Sequence, residues 1–203
     1  MFILDFGSGN TCQNDWMYVK RMIDEFYKIF REKKCKKEIV LKWQLFIHSE
    51  NNIPLNRKIF ETAFFYAWGI GFQTTASVFD ESSLTYLLDF DIPFVKIANQ
   101  EKSQKIKGWV PDDYKVIKSV GKPEDVGLNS MCCVSKYPAT VEDYEKTFFK
   151  TDLKKGISDH TIDWTLYHKY QPKIYECHYA LDDSTGLDAG PFARRPSQLR
   201  EVL

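Results

Sequence analysis

The sequence predicts a (β/α)8 barrel. Three observations predict it. Short apolar runs of strand length recur eight times along the 203 residues. Stretches with apolar residues at three- and four-residue spacing separate most of them, and that spacing is helical. Polar residues gather at the C-terminal ends of the runs, where barrels carry their chemistry.

The elements follow in order. Residues 3–6 form the first strand, broken by Gly7, Ser8, Gly9 and Asn10. Asn14 or Asp15 caps a helix to about residue 34, with Trp16, Val19, Ile23, Phe26 and Phe30 at core spacing. Lys33, Lys34, Lys36 and Lys37 close it, where cations complement the helix dipole. The second strand spans 38–46. Lys42 interrupts it, and a buried lysine is rare unless paired. It either reaches the barrel mouth or faces outward. An aromatic-rich helix covers 59–68, and 71–77 is a third strand with a polar end. Asp80 caps a helix over 81–90, with Leu84, Leu87 and Leu88 inward. The fourth strand, 92–99, again holds a lysine, Lys96.

Residues 100–113 show no helical period, and 122–129 read as a loop, so the helices after strands four and five are reduced. Strand five is 116–121 and strand six 131–138. Thr140 caps a helix over 141–150, with Asp143 at capping-box distance. Strands seven (155–160) and eight (173–178) flank a helix over 161–170. A turn-rich loop at 186–191 and a last short helix at 196–203 complete one domain, 1–203.

Composition narrows the function classes. Hydrophobic residues make up 43% and charged ones 28%, which is ordinary for a globular domain. Lys+Arg 28 balances Asp+Glu 28, so no global field points to nucleic acid or a membrane surface. No apolar run approaches the roughly 20 residues of a spanning helix, and the N-terminus has no basic leader. The five cysteines show no paired metal spacing, which fits a reducing, cytoplasmic compartment.

The strand ends supply one polar set: Asp5, Lys42, Gln44, Thr75, Lys96, Asn99, Ser119, Ser135, Ser158, His160, Glu176 and His178. Two lysines among hydroxyls make an anion site, most simply for phosphate. Two histidines at the same end of successive strands suit a divalent metal. Acidic Asp5, Glu176 and Asp188 could orient a polyhydroxylated substrate or move protons.

In sequence order, these motifs resemble the sialic acid (N-acetylneuraminate) synthase family. Lys42-Trp43-Gln44 is similar to its Lys-x-Gln strand. Phe94-Val95-Lys96-Ile97-Ala98-Asn99-Gln100-Glu101 is similar to its Lys-Ile-Ala-Ser-Gly-Glu stretch, and Cys133 through Tyr137-Pro138 to its Cys-x-x-x-Tyr-Pro. Ser158-Asp159-His160-Thr161, Glu176-Cys177-His178-Tyr179 and Gly186-Leu187-Asp188 complete the set. The first strand departs from the family: Asp5 stands where a glutamate is usual, and the following histidine is replaced. Asn99 stands where serine is usual. The family's C-terminal antifreeze-like domain has no counterpart in these residues.

The resemblance implies a cytoplasmic enzyme that condenses phosphoenolpyruvate with an N-acetylated aldose, such as N-acetylmannosamine, and releases phosphate. It implies His160 and His178 as ligands of a divalent metal, usually Mn. Lys42, Thr75, Lys96, Ser119, Ser135 and Ser158 would hold phosphoenolpyruvate, with Asn99 beside them. Asp5, Gln44, Tyr137 and Asp188 would face the amino-sugar aldose. Asp5, Lys42, Lys96, Glu176 and Asp188 are the expected catalytic groups, and a homodimer is the candidate assembly. Two alternatives stay open: a related condensation on another sugar, and a non-catalytic ligand-binding barrel.

Overall fold

In the computed structural model, which describes residues 1–45, 53–100, 103 and 105–203, eight parallel strands close in sequence order. β1 (Phe2–Asp5) pairs with both β2 (Ile39–Leu45) and β8 (Ile174–His178). Between them run β3 (Gln73–Val78), β4 (Val95–Ile97), β5 (Val116–Val120), β6 (Ser130–Cys133) and β7 (Gly156–Asp159). The last residue of the expected second strand, Phe46, lies outside the described residues, as does Glu101.

Alternation along the strands sorts two cores. In β2, Leu41 and Trp43 face the helices and join the large outer core with Phe2, Leu4 and Phe26. Val40, on the other face, meets Ile3, Phe94, Ile117 and Met131 in a separate apolar cluster that plugs the barrel's lower interior. This plug is the floor on which the polar strand ends stand.

The outer layer is α1 (Trp16–Glu32), α2 (Arg57–Gly69), α3 (Glu81–Leu87), α4 (Val141–Thr147), α5 (Thr165–Tyr170) and α6 (Pro196–Val202). Among the described residues, the segments after β4 and β5 hold the 3-10 turns Lys105–Trp109 and Pro123–Asp125, with Ser103 helical ahead of the first. Asp15, not Asn14, caps α1, accepting from the amides of Met17 and Tyr18. Asn14 instead joins two loops, bonding the Pro54 carbonyl and the Asn56 amide. Thr140 and Asp143 form the expected capping box at α4.

Two expectations fail because of contacts between segments distant in sequence. The sixth strand stops at Cys133 rather than 138, because the following chain turns to β7, where the Ala139 amide donates to the His160 carbonyl. The helix expected from Thr161 starts only at Thr165. Arg194 intervenes: its guanidinium, fully buried, donates to the carbonyls of Thr161 and Asp163 at 2.5 Å each and to Asp159 Oδ2 at 3.0 Å. Tyr175 donates to the same Asp159 oxygen at 2.5 Å. The C-terminal segment is thereby tied to the end of β7. Among the described residues, no helix is long and apolar enough to cross a membrane.

Candidate active site

Above the apolar plug, the inward strand residues become charged. Asp5 on β1 and Lys42 on β2 are register partners. Lys42 Nζ donates to Asp5 Oδ2 at 2.6 Å and to Ser77 Oγ at 2.9 Å. Lys96 Nζ donates to Ser119 Oγ at 2.9 Å. Glu176 lies between the two ammonium groups, 3.6 Å from Lys42 and 3.7 Å from Lys96. Its Oε1 accepts from Ser158 at 2.9 Å, while its buried Oε2 has no hydrogen-bond partner.

The charges hold one another in place. Burial alone would raise the Asp5 carboxyl, but Lys42, His178 and the Gly7 amide bring it down to about 2. Glu176 is likewise lowered, burial being outweighed by the two lysines. Burial would lower Lys42, yet Asp5 and Glu176 raise it. Lys96 is lowered, because burial and the repulsion of Lys42 outweigh Glu176. Lys96 is therefore the less satisfied cation, and an anion arriving beside it would be held strongly.

A second cluster sits at the β1, β2 and β8 ends. Gln44 Nε2 bridges Asp5 Oδ2 (3.0 Å) and Asp188 Oδ1 (3.1 Å). The Ser8 amide donates to Asp188 Oδ2 at 3.0 Å. Gly7 makes room for that carboxylate. Its φ is +79°, and a Cβ there would stand 2.8 Å from the Asp188 Cβ. Only glycine meets both demands without strain.

His160 and His178 face each other with ring centroids 5.5 Å apart. His160 Nδ1 lies 2.7 Å from the Val134 carbonyl, which can only accept, so Nδ1 carries the proton and Nε2 keeps its lone pair. Burial and then the neighbouring His178 hold the His160 imidazole down at about 3, so it is neutral. Buried Tyr144 positions this strand end: its hydroxyl donates to the Ser158 carbonyl at 2.5 Å and accepts from the His160 amide at 3.1 Å. Phe192 stands edge-on to His178 at 5.0 Å, and Tyr137 lies over His160 at 4.2 Å.

Together these residues line a cavity of about 490 Å³ at the C-terminal mouth, within the usual range for small-molecule sites. It gathers every residue expected at the site except Thr75. Thr75 points inward one rung too low, and its hydroxyl is spent on the Phe94 carbonyl at 2.6 Å. Ser77, two residues on and opposite Gln44, takes its place on the wall. The strand's period of two would have put Ser77 on the same face, but how far each strand rises was not readable. Cys133 and the aromatic wall residues Phe79 and Phe192 also line the cavity and were not expected there. Asn99 and Ser135 do meet, at 3.1 Å.

The histidine pair suits a divalent ion. A separation of 5.5 Å lets two imidazoles reach one ion with bonds of about 2.1 Å. His178 Nδ1 is buried without a hydrogen bond, 3.6 Å from Asp188 and 3.7 Å from Asp5. At those distances the carboxylates make no hydrogen bond to the ring and act on it through their charge alone. Among the described residues no group of three or more His, Cys, Asp or Glu surrounds one point. Two protein ligands leave the remaining positions open to water and substrate, which is the catalytic rather than the structural arrangement. Formal charge agrees: the cavity sets two lysines against three carboxylates, so an anionic substrate gains from an added dication.

Fold and site together define a (β/α)8 barrel with a charged small-molecule cavity at its C-terminal mouth. Solved structures of the same shape exist. An N-acetylneuraminic acid (sialic acid) synthetase from Leptospira borgpetersenii serovar Hardjo-bovis, in complex with citrate, superposes with a TM-score of 0.75 at 20% identity, over 98% of this chain and 80% of that one. A Chromobacterium violaceum protein described as spore coat polysaccharide biosynthesis protein E gives 0.70 at 17% identity, over 98% and 71%. The Bacillus subtilis spore coat polysaccharide biosynthesis protein gives 0.65 at 17%, over 99% and 65%. At these identities the likeness establishes a shared barrel fold. No sequence-family model matches the chain, and no curated protein matches it.

Proposed function

We propose that this protein is a synthase of the sialic acid synthase type, condensing phosphoenolpyruvate with an N-acetylated aldose to give a nonulosonic acid and phosphate. One observation carries the reading. Two buried lysines with hydroxyl partners share a single cavity with two imidazoles that present open nitrogens. The barrel likeness to a sialic acid synthetase supports it.

In this reading Lys42 and Lys96, with Ser77, Ser119 and Ser158, hold the phosphate and carboxylate of phosphoenolpyruvate. His160 and His178 hold a divalent ion, Mn in the first instance. Such an ion supplies Lewis acidity toward an aldehyde oxygen. Gln44, Asp188 and Tyr137 orient the sugar. The methylene carbon of phosphoenolpyruvate forms a bond to the aldehyde carbon, and the aldehyde oxygen takes up the proton that the attacking water gives up. Water adds at the phosphate-bearing carbon, its proton passing by way of Glu176, whose Oε2 accepts no hydrogen bond and lies 3.6 Å from Lys42 Nζ, to the former aldehyde oxygen. The carbon–oxygen bond to phosphate then breaks, the added hydroxyl becoming the ketone oxygen and its proton leaving with the phosphate.

A second reading, condensation with another aldose, draws on Asp5. Its Oδ2 is committed to Lys42 and Gln44 at 2.6 and 3.0 Å, so it stands low in the cavity. The test is phosphate release from phosphoenolpyruvate with N-acetylmannosamine and Mn, with and without chelator. Release with other aldoses but not this one selects the second reading. A non-catalytic barrel gives no release with any aldose.

A further inference from the structure

The two histidines are held in different ways. The His160 ring is fixed by the bond between its Nδ1 and the Val134 carbonyl at 2.7 Å. The His178 ring has no such anchor, since its buried Nδ1 makes no hydrogen bond. A histidine ring turns about its last torsion within a broad well, so without a hydrogen bond only packing keeps its plane. Asp188 and Asp5, at 3.6 and 3.7 Å, attract one edge of the ring. Coulomb attraction depends on distance rather than on angle, so it does not fix the plane. A metal-bound histidine ordinarily has its second nitrogen hydrogen-bonded. At His178 another contact has to take that part.

Phe192 supplies it. Its ring stands 5.0 Å from His178 with the planes at 90°, and 6.1 Å from His160. Tyr137 backs it at 5.1 Å, and Phe192 is only 4% exposed. The chain builds this seat locally. Gly190-Pro191-Phe192-Ala193 forms a turn, closed by the Ala193 amide donating to the Gly190 carbonyl at 3.0 Å, with proline at its favoured second position. The Arg194 guanidinium donates to the Phe192 carbonyl at 3.0 Å. The Arg194 amide donates to the His178 carbonyl at 2.8 Å, which ties the turn to the end of β8. Gly190 leaves space for the ring: a Cβ there would stand 2.5 Å from Phe192 Cε1.

We propose that Phe192 is a positioning residue for His178. The packing of its ring, in place of a hydrogen bond, keeps the His178 imidazole opposite His160. Phe192 offers no ligand atom of its own. One consequence rests on the proposed function: an ion shared by the pair binds more tightly because both rings are already oriented.

The test has two readouts. Crystal structures of the metal-free parent, Phe192→Ala and Gly190→Ala follow the ring itself. In both variants the His178 ring should leave its 5.5 Å approach to His160, while His160 stays on the Val134 carbonyl. Gly190→Ala alters no side chain of the cavity, so it carries the test if Phe192→Ala does not fold. Mn titrations followed by electron paramagnetic resonance read the consequence. Both variants should bind about tenfold more weakly or worse, the loss usual when a ligand's orienting partner is removed. Phe192→Leu keeps apolar bulk against the ring and should recover most of the affinity. A His178 ring that keeps its place in both variants overturns the proposal, and so does parent-like Mn affinity in both. A turned ring in the variants of a parent that binds no Mn contradicts the ion at this pair and upholds the role of Phe192.

Discussion

Lys42 and Asp5, register partners on adjacent strands, form a 2.6 Å ion pair with both side chains almost fully buried. The pair joins the anion-holding side of the cavity to the side that Gln44 and Asp188 line. Removing one member leaves the other charge buried, which typically costs about 3–5 kcal/mol. Glu176 remains near Lys42, so Asp5→Asn should lie at the lower end. A loss of about 3 kcal/mol in a chain of this size lowers the melting temperature by roughly 6–12 °C, measurable by calorimetry.

The same pair sets an acid limit. Asp5 falls from 3.8 to about 2 in the folded chain, and Glu176 falls below its ordinary 4.5. A depressed carboxyl stabilises the fold above its unfolded value, and that stability disappears as pH falls through the folded value. Unfolding free energy should therefore hold from neutrality to about pH 5 and decline toward pH 2. Asp5 contributes on the order of 2 kcal/mol of that decline. Urea titrations should show a shallower acid slope for Asp5→Asn than for the parent.

Gly7→Ala tests the seat of Asp188. The new methyl meets the Asp188 side chain at 2.8 Å, on a backbone at φ +79°. Left-handed backbone costs a residue with a Cβ roughly 1–2 kcal/mol. KM for the sugar should rise at least tenfold while KM for phosphoenolpyruvate holds, because the lysines do not touch Gly7. Equal rises for both substrates would argue that Asp188 does not face the sugar.

Much of the barrel was legible because its signals are local. Strand alternation and helical spacing can be read within ten residues, and the polar strand ends mark the mouth. What failed was set by contacts distant in sequence. Arg194 reaches back to Asp159, Thr161 and Asp163, so the chain after His160 cannot start its helix where the local pattern allows. Thr75 and Ser77 share a face, and only the closed register decides that Ser77 reaches the cavity. Phe192 reaches the histidines from a tail without periodicity.

The Asp159–Arg194 pair should matter more than its distance from the lysines suggests. Both side chains are completely buried. Arg194→Met should destabilise the fold by about 3 kcal/mol or more. It should also free the tail that carries Phe192 and Asp188. Hydrogen exchange should speed in residues 187–195 while β2 and β3 keep their protection. Unchanged exchange in the tail would show that other contacts hold it.

The histidines bear on the central claim. Titrating Mn into the parent and into His160→Ala and His178→Ala, followed by electron paramagnetic resonance, should show binding in the parent and at least tenfold weaker binding in each variant. Circular dichroism should remain native. Parent-like binding in both variants would remove the ion from this pair.

The most direct measurement is phosphate release from phosphoenolpyruvate in the presence of Mn, with N-acetylmannosamine and a panel of other aldoses. The account predicts release that requires an aldose, stops with chelator, and falls at least a hundredfold in Lys96→Met. No release with any aldose, from folded protein loaded with Mn, would contradict it.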